Sequence, residues 1–156
     1  MRNRFSSQTT GSRTAFSNES IKRRILLVDD EPDITMSISV LLESNGFEIS
    51  SYNDSVLALT SFKPNYYDLV ILDVKMPKID GFELYNKIRK IDKLTKVCFI
   101  TATDKTDYKD LKVLEEQSEN HKKNSQLYCE LKKDMFLQKP ISNNDLVNEI
   151  NKRTEI

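Results

Sequence analysis

Two short apolar runs, residues 25–28 and 69–72, each stop on acid: Asp29 and Asp30 after the first, Asp73 after the second. Uninterrupted apolar runs of this length, bounded by loop signals, mark strands buried on both faces. Strands of that kind belong to helix-covered parallel sheets, which offer ligands a place at the carboxyl ends of their strands. All three acids then arrive at one rim. Crowding three carboxylates there is costly without a bound cation, because each disfavours ionisation of the others. The pattern points to an α/β fold and makes that rim the candidate site.

The rest of the chain alternates in the same sense. A helix begins near Pro32, a residue suited to a first turn, and carries Ile34, Ile38, Leu41 and Leu42 on one face until Gly46 closes it. A second strand is expected over 48–52, and Asp54 can cap a short helix running to Phe62. After the third strand, Met76-Pro77 and Asp80-Gly81 mark a turn-rich loop. The next helix shows Phe82, Tyr85, Ile88 and Ile91 at helical spacing. A fourth strand over 97–100 ends on Thr101, a fifth over 135–137 precedes Lys139, and a last helix over 143–152 buries Leu146, Val147 and Ile150. Five strand–helix units in this order imply parallel strands with helices on both faces.

The 156 residues suggest one domain. Its 24 basic and 24 acidic groups are unevenly spread: residues 1–24 carry about +5 and residues 25–156 about −5. An acidic folded part does not favour direct nucleic-acid binding. Residues 1–23, rich in Ser, Thr, Asn and Arg, have no periodicity and are expected to form a disordered basic tail. Cys98 and Cys129 form no metal or redox spacing, and Cys98 reads as a small buried hydrophobe. No stretch reaches the length of a membrane span and no apolar secretory core follows the basic N-terminus, so a cytoplasmic protein without membrane insertion is expected.

With all strands parallel, Asp29, Asp30, Asp73, Thr101 and Lys139 share the rim. A divalent cation with oxygen ligands relieves the repulsion of the acids, and Mg²⁺ suits few carboxylates plus phosphate oxygens. Lys139 is a compact charge able to pair with Asp73 at rest and with a phosphoryl group later. Thr101 has a hydroxyl to donate. A carboxylate in these surroundings can serve as the nucleophile of phosphoryl transfer.

These residues resemble the receiver domain of two-component response regulators. The likeness covers about residues 24–153 and rests on Leu-Val-Asp-Asp-Glu-Pro (27–32), Leu-Asp-Val-Lys-Met-Pro (72–77) with Asp80-Gly81, Thr101-Ala102, and Lys139-Pro140. It implies a flavodoxin-like (βα)₅ doubly wound sheet of strand order 2-1-3-4-5. It implies that Asp73 accepts a phosphoryl group from a sensor histidine kinase or phosphotransfer protein. Asp30, Asp73 and the carbonyl of Lys75 would bind Mg²⁺, with Asp29 acting largely through water. Thr101 and Lys139 would grip the phosphoryl oxygens, Phe136 matches the family's switch aromatic, and Lys139-Pro140 its cis peptide. The chain would not be an enzyme in the conventional sense, although it would promote its own phosphorylation and dephosphorylation. It would act as a monomer or weak dimer on a downstream protein that the sequence does not name. The side chain of Lys75 falls where family members tune phosphoryl lifetime. Asp80-Gly81 alone reads as a turn, and Phe136 alone as a core aromatic.

The chain departs from the family between Thr101 and Lys139, where 37 residues replace a shorter interval that usually contains glycine. Residues 115–126 hold no apolar side chain, and Leu127, Tyr128 and Leu131 follow at helical spacing. A lengthened or additional helix is expected about 115–131. His121, the single histidine, lies within this charged stretch and reads as solvated. With no effector sequence after the last helix, a stand-alone receiver is expected. A haloacid-dehalogenase-like phosphatase shares the aspartyl nucleophile and Mg²⁺, but needs an acid two residues on, where Lys75 stands. A pseudo-receiver is disfavoured by the complete acid–Thr–Lys set, and only three glycines leave no room for a nucleotide-binding glycine loop.

Overall fold

The computed structural model describes residues 20–102 and 135–155. Five parallel strands lie in the order β2-β1-β3-β4-β5: β1 (Arg24–Val28), β2 (Glu48–Tyr52), β3 (Leu69–Asp73), β4 (Lys96–Thr101) and β5 (Phe136–Gln138). The helices are α1 (Pro32–Ser44), α2 (Ser55–Ser61), α3 (Gly81–Ile91) and α4 (Asn143–Thr154). This is the doubly wound order expected, and the strands lie within a residue or two of their expected bounds. Residues 1–19 of the tail expected over 1–23, Cys129, His121 and the segment 115–131 lie outside the described residues, whereas Arg23 at the tail's end donates to the Thr154 hydroxyl and accepts from the Glu48 N–H through its carbonyl. No helix among the described residues is long and apolar enough to cross a membrane.

The sheet separates two cores by strict alternation. Ile25 and Leu27, Leu69 and Ile71, and Cys98 and Ile100 point to one face, where they meet Leu42 of α1 and Leu146 and Ile150 of α4. Leu26 and Val28, Val70 and Leu72, and Val97 and Phe99 point to the other, against Ala58 of α2 and Phe82, Leu84 and Ile88 of α3. Successive side chains leave a strand on opposite sides, so an all-apolar strand serves both layers. Each such side chain, when fully buried, contributes about 1.5–3 kcal/mol. Cys98 belongs to this core, and burial pushes its thiol up to about 12.

Helix ends follow their local chemistry. Asp54 accepts from the backbone N–H groups of Val56 and Leu57 and starts α2 as expected. Gly46 sits one residue beyond the Asn45 C-cap of α1 at φ +90°, a left-handed conformation that favours glycine. In α3 the expected stripe is corrected. Leu84 is buried with Phe82 and Ile88, whereas Ile91 is half exposed, because the helix stops there and Asp92 turns the chain toward β4.

Asp92 organises the end of the sheet opposite the acidic rim, and its spacing gave no sign of it. The side chain accepts from the backbone N–H groups of Asn65 (2.8 Å), Leu94 (2.9 Å) and Thr95 (3.1 Å), and from the Thr95 hydroxyl. The Thr95 hydroxyl and the Asn65 N–H hold its carboxyl well below the usual carboxylate range. Its stabilisation is therefore present above the unfolded-state value of about 3.9 and is lost as pH falls below it. Asp92→Ala strands these donors and is expected to cost about 2 kcal/mol at pH 7. Urea denaturation of both proteins should show that deficit, shrinking below pH 4; an unchanged midpoint at pH 7 would refute this role.

Candidate functional site

The carboxyl ends of four strands deliver the site. Asp29 and Asp30 follow β1, Asp73 ends β3, Thr101 ends β4 and Lys139 follows β5. The register pairs Asp73 with Ile100 and Thr101 with Gln138, which levels these residues along the rim. Asp29, Asp73 and Thr101 are buried, whereas Asp30 is half-buried. One carboxylate oxygen from each of Asp29, Asp30 and Asp73 lies within 4.8 Å of the others. No other such cluster occurs among the described residues.

Lys139 reaches Asp73, the resting partner expected of it, but pairs more closely with Asp29. Its Nζ donates to Asp29 Oδ2 at 2.8 Å and lies 4.0 Å from Asp73 Oδ1. The other oxygen of Asp29 accepts from the Glu31 backbone N–H at 2.9 Å. Asp29 is the most deeply buried of the three acids and takes the nearest cation, so the primary pair is Lys139–Asp29. Burial draws the lysine's pKa down, but the hydrogen bond to Asp29 and the charges of Asp73 and Asp29 more than offset it, and the net shift is upward. The lysine is also fixed through its backbone, whose N–H donates to the Thr101 carbonyl at 2.8 Å. The following Lys139-Pro140 peptide is cis, as expected.

Asp73 is the acid left under strain. Burial, then the charge of Asp29, raises its carboxyl to about 7, against the pull of Lys139. The N–H of Val74 offsets little of this. Such a group accepts a proton or a cation, and three clustered hard oxygen donors fit a small divalent cation.

Lys75 is exposed two residues on. Phe136 is half-buried and stacked on Phe99, with centroids 5.1 Å apart and planes 20° apart, and its ring centre is 6.2 Å from that of Phe82. It is thus part of the aromatic packing beneath the rim.

Asp80-Gly81 is more than a turn. Asp80 caps α3 through the Glu83 N–H at 2.8 Å. Gly81 lies directly on the backbone of the site: a Cβ there would sit 2.2 Å from the Asp73 carbonyl oxygen. The absent side chain lets α3 close against the end of β3, while the Gly81 N–H donates to the Val74 carbonyl at 2.9 Å. The signal was present in the sequence, but the atom the glycine must avoid belongs to a residue eight positions earlier.

The chain matches the family model described as "Response regulator receiver domain" over residues 25–117, more than half its length. It is 43% identical over 67 residues to a "Transcriptional regulatory protein CpxR homolog" of Haemophilus influenzae, covering 43% of this chain and 29% of that protein. It is 39% identical over 69 residues to "Sensor protein EvgS" of Escherichia coli K12, covering 44% of this chain and 6% of that one. The crystal structure of a response regulator receiver domain protein from Clostridium thermocellum superposes with a TM-score of 0.61 at 30% identity, covering 85% of this chain and 94% of that one. The parallel sheet with an acidic rim defines a CheY-like receiver fold. The chain belongs to the response regulator receiver domain family of two-component systems. It matches less than a third of the length of these curated relatives.

In metal-free buffer, Asp73 should make stability fall as pH rises. The folded protein holds a proton on this group up to about pH 7, whereas the unfolded chain releases it near 3.9. The associated stability is fully present below the lower value and is lost as pH climbs through the upper one. Asp73→Asn should flatten that dependence and stabilise the metal-free protein by about 2 kcal/mol at pH 8, with little gain near pH 5. Urea midpoints in EDTA measure this, and an Asn variant less stable than the parent at pH 8 would contradict it.

Proposed function

We propose that this chain is a phosphorylation-dependent switch, in which Asp73 takes a phosphoryl group from a phosphohistidine on a sensor kinase or phosphotransfer protein. The observation that carries the reading is the convergence of Asp29, Asp30 and Asp73 within 4.8 Å beside Lys139. An oxygen of Asp73 attacks phosphorus, the phosphorus–nitrogen bond of the donor breaks, and the released imidazole takes up a proton. Asp30, Asp73 and the Lys75 carbonyl would hold Mg²⁺, with Asp29 acting largely through water because Lys139 and the Glu31 N–H already engage its oxygens. When bound, the ion neutralises the acids and the phosphoryl oxygens.

Lys139 then divides its charge between Asp29 and the transferred group, and Thr101 donates its hydroxyl to a phosphoryl oxygen. Movement of Thr101 toward the phosphate alters the packing of Phe136 on Phe99, which carries the change to the surface. Hydrolysis of the aspartyl-phosphate by water resets the switch, so the chain promotes its own phosphorylation and dephosphorylation without being an enzyme in the conventional sense. Its output is contact with a downstream protein in the cytoplasm, made as a monomer or weak dimer and without direct nucleic-acid binding. The relatives do not select that output, since one is named as a transcriptional regulator and another as a sensor.

Incubation with Mg²⁺ and acetyl phosphate, followed by intact mass measurement, should show a gain of one phosphoryl group, abolished by EDTA and by Asp73→Asn. A parent protein that gains nothing from acetyl phosphate or from a cognate kinase is a pseudo-receiver instead.

A further inference from the structure

The turn between β2 and α2, Asn53-Asp54-Ser55, contributes no acid to the rim, yet all three of its side chains reach the loops that do. Asn53 Nδ2 donates to the Asp29 carbonyl at 2.8 Å and to Thr35 Oγ1 at 2.8 Å. Thr35 is buried and passes its own proton to the Pro32 carbonyl at 2.9 Å. Both ends of the acid-bearing segment 29–35 are therefore tied to one amide. Ser55 is buried and donates to the Pro77 carbonyl at 3.3 Å. Asp54, while capping α2, pairs with Lys78, which stands at φ +67°. These last two contacts hold the loop that carries Lys75.

The Asn53 amide acts where the sheet runs out. Val28 pairs with Tyr52 in the parallel register, and the Asp29 N–H donates to the Tyr52 carbonyl at 3.2 Å. In a continuing parallel ladder the Asp29 carbonyl would accept from the backbone N–H of residue 54. The chain instead turns at Asp54 into α2, and the Asn53 side chain makes that bond. An amide suits the place because it donates twice without adding a fourth negative charge beside Asp29, Asp30 and Asp73.

We infer that Asn53 is a positioning residue for the acidic site, and that the Asn53–Ser55 turn clasps the β1 and β3 loops at the separation a divalent cation needs. The inference rests on the phosphoacceptor reading above. Removing an outer partner of a metal ligand typically costs 10–100-fold in affinity, and an exposed amide that holds the acid-bearing loop through the Asp29 backbone, rather than a ligand atom directly, belongs at the lower end, at about tenfold.

Calorimetric titration with MgCl₂ tests this on the whole chain. Asn53→Ala should weaken Mg²⁺ binding by about tenfold. Phosphorylation by acetyl phosphate should slow at low Mg²⁺ and recover as Mg²⁺ is raised. A purely structural role would lower the melting temperature equally with and without Mg²⁺ and leave the affinity unchanged, and that result overturns the inference. Ser55→Ala, which releases the other arm, is read by the same criteria and carries the test should Asn53→Ala fail to fold. If the parent binds Mg²⁺ but is not phosphorylated, the phosphoacceptor reading falls and the affinity comparison still judges the clasp. A parent that binds no Mg²⁺ refutes the clasp.

Discussion

The ion pair between Lys139 and Asp29 closes at 2.8 Å across 110 positions of sequence, and the arrangement of the rim depends on it. Asp29 is almost wholly buried, and an ionised carboxylate in that setting needs a partner with good geometry. The partner arrives from the far side of the sheet, since β3 and β4 separate the strands that carry the two residues. Bringing them together requires the sheet to be complete and Lys139 to be fixed at the end of β5, which its backbone bond to Thr101 achieves. Because Lys139 engages Asp29 first, Asp73 keeps only a distant share of its charge.

The parallel sheet makes this placement possible. In antiparallel pairing, half of these strand ends would face the opposite side of the molecule. Parallel strands need crossovers, and the crossovers become the helices that bury both faces. Apolar composition of the central strands and convergence of the acids are therefore two consequences of one topology. Gly81 extends the logic to the backbone, since α3 can seat itself on the end of β3 only where no Cβ intervenes.

Much of this was legible in the sequence because it is local. Runs such as 69–72, the Asp54 cap and the acids that close the first and third strands are each decided within a few residues. What escaped reading depends on partners distant in the chain. Asp92 is an ordinary loop acid until the Asn65 N–H, 27 positions away, turns toward it. Asn53 is an ordinary turn residue until the Asp29 carbonyl, 24 positions away, lacks a backbone donor. The choice of Asp29 over Asp73 by Lys139 is a matter of relative depth among neighbours, and no spacing encodes it. Ile91 matched a helical stripe whose last member the helix does not survive to bury.

Asp92 and Asp73 show why burial of a carboxylate is not by itself a mark of function. They lie at opposite ends of one sheet, both buried. Four donors surround Asp92 and lower its pKa, so its charge is satisfied by the fold and its role is architectural. Asp73 faces two other acids, shares a lysine engaged elsewhere, and is raised to about 7. The fold holds it in place without satisfying it. A packed scaffold tolerates such a group where surrounding contacts over-determine its position, as the pairing of Asp73 with Ile100 across β3 and β4 and the bond from the Gly81 N–H to the Val74 carbonyl do here. Among the described residues, such an unsatisfied acid in a cluster is where a ligand would gain most from binding.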